Sequence, residues 1–158
     1  MRLREALTAW SKGDDLSRFW RLFRRRAGAG SRLRRALLTV ALDRSAHRHG
    51  GYVGSGAVVK GEPTLPHGLH GVYISRYAVL GSDCWIYQNV TIGEVNRAAP
   101  RVGDRCLIGA GAVLVGGIRI GDDVRIGAGA VVSFDVPDRC TVVAQPPRVI
   151  ERSAREDG

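Results

Sequence analysis

The chain has 158 residues and a formal net charge of +9, and that charge is unevenly placed. Residues 1–50 hold 13 Lys+Arg against 4 Asp+Glu, whereas residues 51–158 hold 11 of each. No stretch approaches the roughly 18 apolar residues of a membrane span, and no apolar signal core precedes a cleavage site. The expectation is therefore a cytoplasmic chain built on one core, without a transmembrane segment.

In chain order, the first 50 residues read as helices. Leu3, Ala6, Leu7 and Trp10 share one helical face, as do Leu16, Phe19, Trp20 and Phe23, with Gly13-Asp14-Asp15 between them as break and cap. After the punctuation Gly28-Ala29-Gly30, a third helix is predicted from about Ser31 to Asp43, with Leu33, Leu37, Val40 and Ala41 on one side as its packing face. The run Arg24-Arg25-Arg26 beside Phe19, Trp20 and Phe23 has the composition of a contact for an anionic membrane or nucleic acid. It also suits a solvated basic face on helices that pack against the solenoid or a neighbouring subunit. The second reading is preferred, and no nucleic-acid partner is expected.

From Ile74 onward every sixth residue is a branched aliphatic: Ile74, Leu80, Ile86 and Ile92, then Val102, Ile108, Leu114, Ile120, Ile126 and Val132. Gly follows the aliphatic at six of these positions, and small or branched residues such as Cys84, Cys106 and Ala112 stand four residues after it. A period of six fits neither a helix nor simple two-residue alternation, but it fits short strands separated by corners at which Gly eases the backbone. The repeat predicts a parallel β-helix solenoid. Val53, Val59 and Leu65 keep the same step, so Leu65 to Ile74 contains three extra residues and Ile92 to Val102 four. Loops that interrupt a regular scaffold are where binding and catalytic groups sit. The expected division is a helical segment over 1–50, a β-helix over 51–150 and a disordered tail over 151–158.

The three cysteines Cys84, Cys106 and Cys140 are far apart with no Cys-x-x-Cys pair, so no zinc site is expected. Cys84 and Cys106 occupy the small inward position of the repeat and read as buried free thiols.

On the hexads and on Val90-Thr91-Ile92-Gly93, the chain resembles the hexapeptide-repeat acyltransferases, and within them the serine acetyltransferase-like group. The resemblance covers about residues 50–150. It implies a mainly β fold, a left-handed parallel β-helix behind a short α-helical N-terminal segment, and an O-acetyltransferase that uses acetyl-coenzyme A as acyl donor without a metal. It further implies coenzyme A and a small hydroxyl-bearing acceptor as partners, and a homotrimer with sites between subunits, which N-terminal helices would pair into a dimer of trimers.

Within the resemblance His67, through Leu65-Pro66-His67 and the strand Val72-Tyr73-Ile74, matches the general base. An alcohol needs such a base to attack a thioester at neutral pH, and an unperturbed imidazole ionises near 6.5. His70 and Arg97 are candidates for binding the acceptor. Ala110 and Ala128 match turn contacts to coenzyme A, and the backbone amide of Gly93 is a candidate oxyanion donor.

The chain also departs from the serine acetyltransferase pattern. Pro66 replaces an Asp before the base, Ala99 replaces a His before Pro100, Ala98 replaces an Arg, and Tyr52 falls where a carboxylate would orient the imidazole. A sugar or natural-product hydroxyl is therefore an alternative acceptor, and a non-catalytic docking solenoid is an alternative role. A γ-class carbonic anhydrase shares the fold, but all four His (His47, His49, His67, His70) precede residue 71, which leaves no downstream zinc ligand.

Overall fold

The computed structural model describes residues 15–146. Two helices, α1 (Ser17–Ala27) and α2 (Arg32–Arg48), lead into thirteen strands of two or three residues each. The strands form three parallel ladders, one per face of a triangular coil. Face A stacks β1 (Tyr52–Val53), β3 (Tyr73–Ile74), β6 (Thr91–Gly93), β9 (Val113–Val115) and β12 (Val131–Val132). Face B stacks β2 (Val58–Val59), β4 (Val79–Leu80), β7 (Arg101–Val102) and β10 (Arg119–Ile120). Face C stacks β5 (Trp85–Ile86), β8 (Leu107–Ile108), β11 (Arg125–Ile126) and β13 (Thr141–Val142). The predicted β-helix is the fold observed.

Register explains the period of six. Val53, Ile74, Ile92, Leu114 and Val132 form one inward column, and the aliphatics of the other two faces form two more. All ten aliphatics of the sequence repeat are buried. The two insertions fall at corners, the first between faces C and A and the second between faces A and B. Beyond Val132 the step shortens: Val136, not residue 138, bridges to Ile120. The last coil is two residues short, which the unbroken repeat did not foretell.

The glycines after the aliphatics work differently from expectation. None of the six adopts a positive φ. Four of them, Gly81, Gly103, Gly109 and Gly121, are required because a Cβ there would meet the next coil's backbone, 2.3 Å from the Gly103 carbonyl at Gly81 and 2.6 Å from the Ala128 nitrogen at Gly109, whereas Gly93 has room for one. The left-handed corner residues lie two positions further on, and between faces B and C they are Asp83, Arg105, Asp123 and Arg139.

The second predicted helix is α1, with Leu16, Phe19, Trp20 and Phe23 all buried as expected. Asp15 Oδ1 accepts the Ser17 N–H at 2.9 Å, and that bond holds its carboxyl below the ordinary range. Two of the run Arg24-Arg25-Arg26 fasten α1 in place: Arg24 pairs with Glu62, and Arg26 donates to Thr39 Oγ1 on α2 and to the Ser55 carbonyl. The helix predicted nearest the N-terminus lies outside the described residues, as do residues 147–158.

The third predicted helix, α2, requires a correction. It runs on to Arg48 and buries Leu42 and Ala46, while Leu33, Leu37 and Val40 stay 73%, 64% and 68% exposed, and Ala41 is exposed too. Leu38, Leu42 and Ala46 recur every four residues on the opposite side. The helix carries apolar residues on two sides, and the one that meets α1 and β1 wins.

Candidate active site

The first insertion turns back between Leu65 and Val72 and is tied down on every side. Gly68 N–H donates to the Leu65 carbonyl (3.0 Å), Gly71 N–H to Gly50 (2.8 Å) and Val72 N–H to Leu69 (2.9 Å), while the His70 carbonyl accepts Asn89 N–H (3.0 Å). Leu69 is fully buried and plugs the loop into the core. Sequence reasoning passed over it, although an apolar residue between two histidines was the available signal.

His67 and His70, on either side of that plug, are both exposed but part company. The His67 ring lies 6.1 Å from the Tyr87 ring, toward the coils that follow. His70 Nδ1 lies beside Gly50, at the helical end, only 3.3 Å from where a Cβ there would stand.

Ile86, Ile108 and Ile126 are in register, so Gln88, Ala110 and Ala128 occupy the same corner on successive coils, in line with His67 two residues after Leu65. The ladder is direct: Gly111 N–H donates to the Gln88 carbonyl (3.0 Å) and Gly129 N–H to Ala110 (2.9 Å). Coils rise about 4.8 Å each, so this edge sets His67 about three steps from Ala128.

Three polar groups on the edge are unspent among the described residues. The Ala110 and Ala128 N–H groups have no backbone acceptor, and Gln88 Oε1 is a buried oxygen without a partner. Sequence reasoning missed Gln88, which only the register brings into line with the histidine. Such an edge can accept an amide-bearing chain lying along it and keep a base at one end.

Gly93 and Arg97 are not on this edge. Gly93 pairs with Val115 in the face A ladder, at the corner between faces A and B. The second insertion there is a minimal hairpin: Val95 and Ala98 exchange backbone bonds of 2.9 and 3.0 Å, and Asn96 and Arg97 turn with φ of 52° and 66°. Within one chain the candidate residues thus divide between two edges that bound face A. Tyr52, where a carboxylate was sought, lies stacked on Tyr73 at 4.9 Å, and burial raises its phenol above the ordinary value.

Cys84 and Cys106 are buried free thiols, as predicted, on neighbouring coils. The neighbouring Cys84 thiol, together with burial, pushes Cys106 well above the ordinary thiol range, and the two Sγ atoms donate to backbone carbonyls, Cys84 to Gly103 at 3.3 Å and Cys106 to Gly121 at 3.1 Å. Among the described residues no group of three His, Cys, Asp or Glu is placed to hold a metal ion, and no helix is long and apolar enough to cross a membrane.

Residues 99–133 match the family of bacterial transferase hexapeptide (six repeats). Those residues carry that family's six-residue repeat. It is 47% identical over 93 residues to serine acetyltransferase of Synechococcus elongatus, covering 56% of this chain and 38% of that one. It is 50% identical over 84 residues to serine acetyltransferase 5 of Arabidopsis thaliana, covering 51% and 27%. Among solved structures, a serine acetyltransferase of Neisseria gonorrhoeae superposes with a TM-score of 0.71 at 31% identity, covering 87% of this chain and 53% of that one. The chain spans less than half the length of these curated relatives. The expected resemblance to the serine acetyltransferase-like group is thus found in sequence and in fold.

Proposed function

We propose that this chain is an acetyl-coenzyme A-dependent O-acetyltransferase. The observation that carries this reading is the edge running from His67 through Gln88 to Ala110 and Ala128, whose Ala110 and Ala128 amides have no backbone acceptor. The pantetheine arm of coenzyme A has its own amides to pair with those N–H groups, and Ala side chains let it approach closely. At the end of the edge His67 would take the proton of the acceptor hydroxyl as its oxygen attacks the thioester carbonyl. The tetrahedral adduct then collapses, the C–S bond breaks, and the imidazolium returns its proton to the leaving thiolate.

The division between two edges supports a trimer. Outward residues of face A are Tyr52, Tyr73, Thr91, Val113 and Val131, none charged, whereas face B carries Arg101 and Arg119 and face C carries Arg125. A prism that turns its uncharged side to a threefold axis sets one edge of that side against the other edge of the next subunit. His67 of one protomer would then meet the Arg97 hairpin of its neighbour. Light scattering should show a trimer, and Val113→Asp should give monomers with turnover lost. An active monomer would sink the shared site.

Serine is the acceptor the relatives suggest, since the Neisseria gonorrhoeae protein was solved in complex with serine. The edge within one chain favours a second reading, because Pro66 and Gln88 beside His67 offer no charge to an ammonium or carboxylate, and Arg97 of a neighbour is a charge that the shared site would add. A sugar hydroxyl suits such an edge. Release of free thiol from acetyl-coenzyme A with serine, homoserine and sugar acceptors in turn decides between them. No release with any acceptor would leave a non-catalytic docking solenoid.

A further inference from the structure

We propose that the outer surface of α1 and α2 docks on an anionic phospholipid membrane, independently of the acetyl-transfer reading. Two observations meet there. Leu33, Leu37 and Val40 form an exposed apolar row along α2, on the side turned away from the packed Leu42 and Ala46. At 100° per residue Arg44 continues that row. Beside it a groove of about 390 Å³ between the helices is walled by Arg18, Arg44 and Arg48, with Leu22 and Ala41 at its base.

The charge balance selects the occupant. Residues 15–50 contain 10 Arg and 2 Asp. Arg24, Arg26 and Arg35 are engaged inside the molecule, but the remaining seven are exposed. A second copy of this face would set arginine against arginine, with only Asp15 and Asp43 to answer the ten. A nucleic acid would engage the arginines and leave the leucines in water. An anionic bilayer matches both: phosphate headgroups enter the Arg18–Arg44–Arg48 groove while Leu33, Leu37 and Val40 enter the boundary with the acyl chains.

The test is co-sedimentation of the full chain with vesicles of equal parts phosphatidylglycerol and phosphatidylcholine, against pure phosphatidylcholine. Binding should require the anionic lipid and weaken in high salt. Leu37→Ser with Val40→Ser should weaken it at least tenfold, as should Arg44→Ser with Arg48→Ser. Both pairs are exposed on α2 and make no bond to the insertion that carries His67, so turnover and oligomeric state should not change. Binding indifferent to the Leu37/Val40 pair would mean bare electrostatic adsorption and overturn the proposal. So would equal binding of duplex RNA by the parent and that variant, or a change of oligomeric state in it, which would make the row a protein interface.

Discussion

Two edges of the same prism share one backbone and end differently. Between faces B and C the corner amides are closed from within: Asp104 Oδ1 accepts Ser82 N–H at 2.8 Å, Asp122 accepts Asp104 N–H at 2.8 Å, and Asp138 accepts Asp122 N–H at 2.9 Å. Outside that ladder Arg105 clasps Asp123 with two bonds of 2.8 Å. Between faces C and A the equivalent positions are Gln88, Ala110 and Ala128, and no carboxylate closes their amides. Backbone N–H groups are obligatory donors, so the first edge is finished by its own side chains and the second awaits a partner. What distinguishes the open edge from the closed one here is a missing Asp.

The largest break expected is at the end of the open edge. His67→Ala should lower turnover by roughly 10²- to 10⁴-fold with coenzyme A affinity nearly unchanged, because it removes proton acceptance and leaves the edge intact. His70→Ala should cost far less. A larger loss at His70 would place the base on the wrong side of Leu69. Next comes the plug. Leu69→Ala should destabilise the fold by about 2–5 kcal/mol, read by chemical denaturation. It should also lower turnover by freeing the loop that holds His67, and unchanged turnover would show that the loop needs no anchor.

The solenoid was legible because one aliphatic per hexad is a direct consequence of stacking, and every such residue from Ile74 to Val132 lies in an inward column. The insertions were legible as breaks in that step. The site was half legible: His67, Ala110 and Ala128 fall on one edge, but the separation of Gly93 and Arg97 depends on which corner each break occupies, and that follows from register across coils. Gln88 was hidden for the same reason. The outward turn of Leu33, Leu37 and Val40 was misread because α2 has apolar residues on two sides, and only the position of α1 and β1 decides which side is buried.

The open edge can also be converted toward the closed one. Ala128→Asp places a carboxylate where Asp122 stands on the other edge, one coil beyond the amide of Ala110. The residue is exposed, so the fold should tolerate the change. If the free amides hold the pantetheine arm, KM for acetyl-coenzyme A should rise about tenfold while kcat holds, the pattern of a lost binding contact. Unchanged KM would show that the arm lies elsewhere.

The smallest effect expected is the reverse operation. Asp122→Ala removes the acceptor of Asp104 N–H and the weaker approach of Arg105 at 3.9 Å, but the corner is half open to water, which takes up the freed amide. The cost should fall near the ordinary net value of one hydrogen bond, about 1 kcal/mol, seen as a lowered midpoint in denaturant. Turnover and KM should not move, because this edge faces no substrate in the shared-site arrangement. If Asp122→Ala instead raised KM for acetyl-coenzyme A, the ligand would be reaching the closed edge, and the contrast between the two edges would fail where it is most exposed to test.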